Sequence, residues 1–169
     1  MAKKQRQPGG TPATSKLTAL GLKFELLAYD PGALEGHVTL GEAVAHSLGI
    51  DPARMFKTLI ALVDGEPVCA IVPTSCELSL KALAKAAGGK RAEMADPVDA
   101  ERWTGYVTGG ISPVGQTKRI PRFVDASCLD HDRIVVSAGK RGLQIELAPA
   151  DLMSASEAEA ASIAAPGDH

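Results

Sequence analysis

The chain has 169 residues, a size typical of one globular domain with its own core. Its composition, 45% hydrophobic and 22% charged, is that of an ordinary globular protein. The formal net charge of −2 argues against a protein that coats nucleic acid, although a local basic patch stays possible. Aromatic residues make up only 4%, so aliphatic side chains and alanine must build the core.

Cysteine usage and hydropathy favour a cytoplasmic protein. The three cysteines, Cys69, Cys76 and Cys128, are an odd number without a Cys-x-x-Cys pair, which argues against a disulfide framework. No stretch approaches ~18 consecutive apolar residues, and the basic N-terminus lacks the apolar segment that a signal peptide needs. We therefore expect a reducing cytoplasm and no membrane span.

The order of helix and strand signals predicts one α+β domain. Capping residues and glycine stops predict short helices at 15–20, 39–48, 79–87, 96–105 and 149–153. Apolar runs predict about seven strands, at 24–29, 55–63, 68–72, 90–94, 122–125, 133–137 and 143–147. Because the helices and strands do not alternate regularly, we expect a mixed, barrel-like sheet flanked by helices. This domain would span 14–154, between a disordered basic tail (1–13) and a flexible C-terminal tail (155–169).

Three local signals are the strongest of these. Thr39 and Glu42 have the spacing of a capping box, in which each side chain bonds the backbone N–H of the other. The dipeptide 64–65 (Asp-Gly) between two apolar runs predicts a hairpin. The dipeptide 96–97 (Asp-Pro) predicts a helix start, with a cap followed by proline at the first helical position.

Lys57 is the most informative single residue. Its predicted strand carries apolar residues on both faces, so both faces are expected to be covered. A lysine at the start of such a strand either extends its ammonium to water or points it into a pocket. In a pocket it would act as a point charge for an anionic or carbonyl oxygen.

The segment 109–113 (GGISP) forms a rigid loop. Its paired glycines allow positive φ and close backbone approach, and Pro113 holds Ser112 extended. Such a loop can be an ordinary tight turn, or it can direct N–H groups at a ligand. The residues alone leave both interpretations open.

Two basic clusters, and the absence of several known motifs, limit the functions that the sequence can support. The clusters are Lys118, Arg119 and Arg122, and Lys140 with Arg141 in the glycine-flanked turn 137–142, which could cradle a phosphate or ribose. They predict a local grip on one end of a nucleic acid. The four histidines show no metal-ligand spacing with each other or with the cysteines, so we expect no metal site, and no nucleotide-binding or serine-hydrolase motif is present.

Five motifs agree in order and spacing with a known family. They are 56–59 (FKTL), 93–97 (EMADP), 104–107 (TGYV), 109–116 (GGISPVGQ) and 139–143 (GKRGL). Together they resemble the YbaK family of free-standing Cys-tRNA(Pro)/Cys-tRNA(Cys) deacylases, relatives of the editing insertion domain of bacterial prolyl-tRNA synthetase. The resemblance covers about residues 14–154. It implies trans-editing hydrolysis of mischarged Cys-tRNA(Pro), with a prolyl-tRNA synthetase as partner and no cofactor.

The resemblance also implies roles for individual residues. The lysine that matches Lys57 is the key active-site residue of the family, and the substrate's own thiol attacks its ester carbonyl. Amides at Gly110 and Ile111 would stabilise the oxyanion. The remaining substrate contacts would come from the positions Tyr29, Gly109, Ser112, Pro113, Ser137, Gly139 and Gln144. The tRNA would be held by the basic residues Lys118, Arg119, Lys140 and Arg141.

One position departs from the family pattern and leaves the substrate open. Gln144 stands where an aspartate is familiar, so a hydrogen bond to the substrate amine would be kept and a charge lost. The alternatives are therefore a deacylase of another mischarged tRNA, such as Ala-tRNA(Pro), and a non-catalytic module that binds tRNA ends or a synthetase.

Overall fold

The computed structural model describes residues 10–34 and 39–166. In these ranges the five α-helices are α1 (Pro12–Ala19), α2 (Leu40–Leu48), α3 (Leu80–Ala86), α4 (Pro97–Thr104) and α5 (Pro149–Ser156). The strands are β1 (Glu25–Ala28), β2 (Phe56–Val63), β3 (Glu66–Pro73), β4 (Cys76–Leu78), β5 (Ala92–Met94), β6 (Arg122–Asp125), β7 (Ile134–Lys140), β8 (Leu143–Leu147), β9 (Glu159–Ala161) and β10 (Ala164–Pro166). Short 3-10 helices lie at Pro31–Ala33 and Ala126–Asp130.

A mixed five-stranded sheet with the order β5-β2-β3-β6-β9 is the main support of the fold. β2 and β3 form an antiparallel hairpin from Phe56↔Pro73 to Val63↔Glu66, while β6 and β9 run parallel to their neighbours. Asp64 and Gly65 both have positive φ, 50° and 86°, as a two-residue hairpin turn with the right twist requires. The predicted hairpin and the α+β class are confirmed.

A second sheet, β1-β8-β7, shares the main core with the first. Phe56 and Ile71 of the first sheet pack there with Val136 and Ile145 of the second. Within the described residues, the two sheets are connected by a single parallel bridge, Met55↔Val135. The predicted barrel-like sheet is not confirmed, because the described strands form three separate sheets, the third being β10-β4, and none of them closes.

The C-terminal segment is part of the folded domain. β9 pairs with β6 and β10 pairs with β4, and Ile163 between them is fully buried. The buried Asp125 carboxylate accepts from the amides of Ile163 and Ala164, both at 2.9 Å. The expected flexible tail from residue 155 is thus wrong up to residue 166, and 167–169 lie outside the described residues.

The N-terminal boundary also shifts. Thr11 caps α1 by accepting from the Thr14 amide, and its hydroxyl donates to the Ala138 carbonyl at 2.6 Å. Ala13 is fully buried. The folded domain therefore begins before residue 14, and the predicted tail at 1–9 lies outside the described residues.

The other predicted caps are present. Thr39 accepts from the Glu42 amide at 3.2 Å, although the Glu42 carboxylate meets the Thr39 hydroxyl rather than completing the capping box. Ser79 and Asp96 cap α3 and α4, and Gly105 ends α4 with φ 81°. No helix in the described ranges combines the length and the apolar character needed to cross a membrane.

Candidate active site

A cavity of about 350 Å³ lies along one edge of β2. β3 pairs with the whole of β2 on one side, but β5 covers only Ala61–Val63 on the other. Among the described residues, no strand pairs with Phe56–Ile60 on that side, and this stretch is the open end of β2. The starts of α2 and α4, the loop after α4 and strand β8 surround this open edge.

The backbone of Thr58 faces the cavity. The Ile60 carbonyl, on the outer side of β2, accepts from the Ala95 amide at 3.0 Å. Residues two apart in a strand turn their N–H and C=O groups to the same side, so those of Thr58 point outward where no strand follows. The Thr58 hydroxyl oxygen is buried and has no hydrogen-bond partner among the described residues. Sequence analysis missed Thr58, because a threonine in an apolar strand is ordinary.

Lys57 lines the same cavity and is half-buried. Burial lowers the pKa of its ammonium, and the nearby Glu77, Cys76 and Glu42 act in the opposite direction. The structure thus favours the second of the two predicted orientations, with a lysine at a pocket. A partly desolvated ammonium interacts more strongly with an incoming oxygen than an exposed one.

The loop after α4 contributes through two residues, Gly109 and Ile111, which line the cavity. The Gly110 amide instead donates to the Val107 carbonyl at 2.9 Å and is not available to a ligand. Among the described residues, no acceptor takes the Ile111 amide. The predicted pair of oxyanion donors is therefore reduced to Ile111, with Gly109 beside it.

Ser112 and Pro113 support the loop from behind. Both are buried and neither lines the cavity. The Ser112 hydroxyl accepts from the Val114 amide at 3.2 Å, and Tyr106 donates its hydroxyl to the Val114 carbonyl at 2.6 Å. Their predicted contact with substrate is replaced by a structural role.

Three other predicted residues lie at the cavity and one does not. Tyr29 lines it, as do Ser137 and Gln144, which face each other across β7 and β8. Gly139 is away from the cavity, because its backbone packs on Tyr106 so closely that a Cβ would lie 2.6 Å from the ring. The structure thus does not bring Gly139 to the cavity with Tyr29, Ser137 and Gln144.

Among the described residues, the only side-chain nucleophiles that line the cavity are hydroxyls. The Cys76 thiol interacts with the Lys57 ammonium but is not among the lining residues. Within the described residues the polar lining of the cavity consists of hydroxyls, one amide and one ammonium, without carboxylate, imidazole or thiol. Cys69 and Cys128 are buried elsewhere in the core, and burial raises the pKa of each thiol to about 11. The described residues also hold no group of three side chains that could bind a metal ion. Such a site can bind and orient a substrate and stabilise negative charge.

The predicted tRNA-binding residues belong to two segments of the chain, which make different contacts. Arg119 pairs with Glu157 at 2.9 Å, and the Lys118 amide donates to the Trp103 carbonyl near the end of α4. Lys140 and Arg141 lie in the β7–β8 turn, where Arg141 donates to the Thr108 carbonyl at 2.8 Å. Arg141 is therefore the member of this set that bonds directly to the cavity loop.

This geometry agrees with the comparisons with known proteins. Residues 35–155 match the family described as aminoacyl-tRNA editing domains. The chain belongs to this family, as the motifs predicted, and the protein is thus an aminoacyl-tRNA deacylase, a hydrolase of carboxylic esters.

Two relatives and one solved structure illustrate the match. The chain is 45% identical over 130 residues to the Enterococcus faecalis protein named "Putative Cys-tRNA(Pro)/Cys-tRNA(Cys) deacylase EbsC", covering 76% of this chain and 79% of that one. It is 35% identical to a proline–tRNA ligase of Maridesulfovibrio salexigens over 74% of this chain, which spans 21% of the ligase. The structure titled "Crystal structure of a putative trans-editing enzyme for prolyl tRNA synthetase" has a TM-score of 0.81 at 18% identity, covering 94% of this chain and 98% of its own, and supports the fold.

Proposed function

We propose that the cavity along β2 hydrolyses mischarged Cys-tRNA(Pro) in trans, releasing free tRNA. The observation that carries this proposal is that Lys57 and Ile111 line one cavity, where the Ile111 amide has no acceptor among the described residues and the described lining includes no carboxylate, imidazole or thiol. A substrate that brings its own nucleophile suits such a site. The 45% identity to a protein named as a Cys-tRNA deacylase supports the same substrate.

The proposed chemistry is substrate-assisted. The cysteinyl thiol attacks its own ester carbonyl, a C–S bond forms, the C–O bond to the tRNA ribose breaks, and the thiol proton passes to the ribose oxygen. The product is a cyclic thioester, which water then opens to free cysteine. The protein has to fold the aminoacyl group into the attacking geometry and stabilise the oxyanion, effects that bring large rate gains without a basic side chain.

Each cavity residue has a role in this proposal. The Ile111 amide donates to the oxyanion, and Lys57 holds the terminal ribose or phosphate through its ammonium. Gln144 accepts from the substrate amine as a neutral partner, and Ser137 and Tyr29 flank the aminoacyl group. The outward N–H and hydroxyl of Thr58 provide further hydrogen bonds beside Lys57.

A panel of charged tRNAs tests this proposal. We expect the purified protein to remove cysteine from Cys-tRNA(Pro) well above the buffer rate and to leave Ala-tRNA(Pro) nearly intact, because alanine has no thiol. Faster loss of alanine than of cysteine would instead support the deacylase of another mischarged tRNA. Binding of tRNA without turnover on any charged tRNA would support the non-catalytic module.

A prolyl-tRNA synthetase is the proposed partner. The likeness of this chain to about one fifth of a proline–tRNA ligase motivates this assignment. Adding the synthetase should raise the deacylation rate at low Cys-tRNA(Pro) concentration. An unchanged rate at synthetase concentrations up to tens of micromolar would contradict the partnership.

A further inference from the structure

We propose that Arg141 is a positioning residue, which fixes the loop 108–111 on the β7–β8 turn and so directs the Ile111 amide into the cavity. This inference rests on the proposed function and gives Arg141 a different role from the tRNA contact that its charge suggests.

Thr108, the first residue of the loop, is held at both of its backbone groups. Its amide donates to Glu101 Oε2 of α4 at 2.7 Å, and its carbonyl accepts from Arg141 Nη2 at 2.8 Å. The hydrogen bond from Thr108 lowers the pKa of the Glu101 carboxyl, and the charge of Arg141 lowers it further. Helix α4 and the β7–β8 turn therefore hold Thr108 from two sides, each through one hydrogen bond.

Gly109 and Gly110 allow the loop to lie close to Arg141 because they have no Cβ. A Cβ on Gly109, whose φ is 92°, would lie 2.7 Å from Arg141 Nε. A Cβ on Gly110 would lie 3.0 Å from the backbone of Lys140 and Arg141. The two glycines and Arg141 thus form one packed unit, although about 30 residues separate them in the sequence.

These contacts matter because Ile111, the residue that follows the held glycines, lines the cavity. The Gly110 amide closes the turn on Val107, and the Ile111 amide follows it directly with no acceptor among the described residues. Rotating the loop would move this donor away from the substrate carbonyl. A displacement of about 1 Å in a positioning group can cost on the order of 10²-fold in rate.

Positioning and tRNA binding predict different kinetics. Loss of a positioning residue lowers kcat for Cys-tRNA(Pro) and leaves KM and its salt dependence in place. Loss of a phosphate contact raises KM and reduces the slope of log KM against log salt by about one. Steady-state kinetics of one variant at several salt concentrations therefore separates the two roles.

The experiment compares Arg141→Ala, Arg141→Lys and wild type, with Arg102→Ala as matched control. Arg102 is an exposed arginine of α4 whose ion pair, to Asp99, stays within the helix. We expect Arg141→Ala to lower kcat by on the order of 10²-fold with KM and salt slope kept, and Arg141→Lys to recover part of the rate. Added guanidinium should partly rescue Arg141→Ala, and Arg102→Ala should behave as wild type.

A second measurement does not depend on activity. Hydrogen exchange of the amides in 108–112 should be faster in Arg141→Ala than in wild type. The comparison is direct if the two proteins have equal melting temperatures. If they do not, Arg141→Lys serves as the reference for the loss of stability. Unchanged exchange would overturn the inference, as would a raised KM with intact kcat and a reduced salt slope. A wild-type protein without deacylase activity would contradict the proposed function instead, while the exchange result would still decide the role of Arg141.

Discussion

The two ends of strand β2 have opposite surroundings. At the end formed by Ala61–Val63, β5 pairs along the outer edge, and α3 packs over one face with the fully buried Leu83. At the end formed by Phe56–Ile60, no strand follows and the same edge lines the cavity. The first end stabilises the domain, whereas the second exposes backbone and side-chain groups to a ligand.

The difference shows how a site arises where a sheet stops. β5 has only three residues, and the chain then turns away at Ala95 into α4. Unpaired edges are usually protected, because they attract other strands. Here α2, α4 and the loop 108–111 enclose the edge at a distance, which leaves a cavity whose shape is set by rigid elements.

The largest effect is expected at the open end, on Lys57→Ala. Removal of a group that holds the reacting substrate should lower kcat/KM for Cys-tRNA(Pro) by on the order of 10²–10³-fold. The melting temperature should stay the same or rise slightly, because a partly desolvated ammonium is removed. Lys81→Ala on the exposed side of α3 is the control, and a Lys57→Ala variant with the full rate would remove Lys57 from the mechanism.

Leu83→Ala tests the closed end. The fully buried leucine leaves a cavity when truncated, so the free energy of unfolding should fall by about 2–5 kcal/mol. KM of the folded fraction should be unchanged, because Leu83 lies away from the open edge. Urea denaturation of this variant and of Leu129→Ala, at an exposed position, checks the expectation. A change in KM without loss of stability would contradict the division between the two ends.

Gln144→Asp sharpens the substrate assignment within the open end. A charged acceptor binds an ammonium more strongly than a neutral amide by roughly 1 kcal/mol, so KM for Cys-tRNA(Pro) should fall about fivefold. Gln144→Asn has the size of the aspartate without its charge and should lack this gain. Equal KM values for the two variants would show that Gln144 does not contact the substrate amine.

The smallest effect is a shift in titration. Because burial lowers the pKa of Lys57, this lysine should lose its proton at lower pH than exposed lysines, which titrate near ~10.4. Between the folded and unfolded pKa values the unfolded state binds more protons, so this contribution to stability rises with pH. Nitrogen-15 NMR of the lysine side chains measures the pKa of Lys57, and the spectrum of Lys57→Ala identifies its signal. A pKa at or above ~10.4 would contradict the burial of Lys57.

Local features could be predicted from the sequence because a few neighbouring residues determine them. The Asp64–Gly65 turn needs positive φ at both positions, and the caps at Thr39 and Asp96 act on amides within three residues. The strand with two apolar faces left two orientations of Lys57 open, and the structure favours the one at a pocket.

The rest depends on distant partners. The C-terminal strands are held in part by Asp125, 38 residues earlier, which accepts from the amide of Ile163. Thr58 becomes part of the site only because β5 ends before reaching it. The adjacent residues Lys140 and Arg141 look alike in the sequence, but only Arg141 bonds to the loop, and that loop comes from another part of the chain.

The most direct test of the central claim is the structure of the protein with a stable substrate analogue, 3′-cysteinylamino-3′-deoxyadenosine, in which an amide replaces the ester. The account predicts that the analogue lies along Phe56–Ile60, with its carbonyl oxygen within hydrogen-bond distance of the Ile111 amide and its ribose beside Lys57. An analogue bound elsewhere, or one whose carbonyl faces away from Ile111, would contradict the claim that the open end of β2 is the active site.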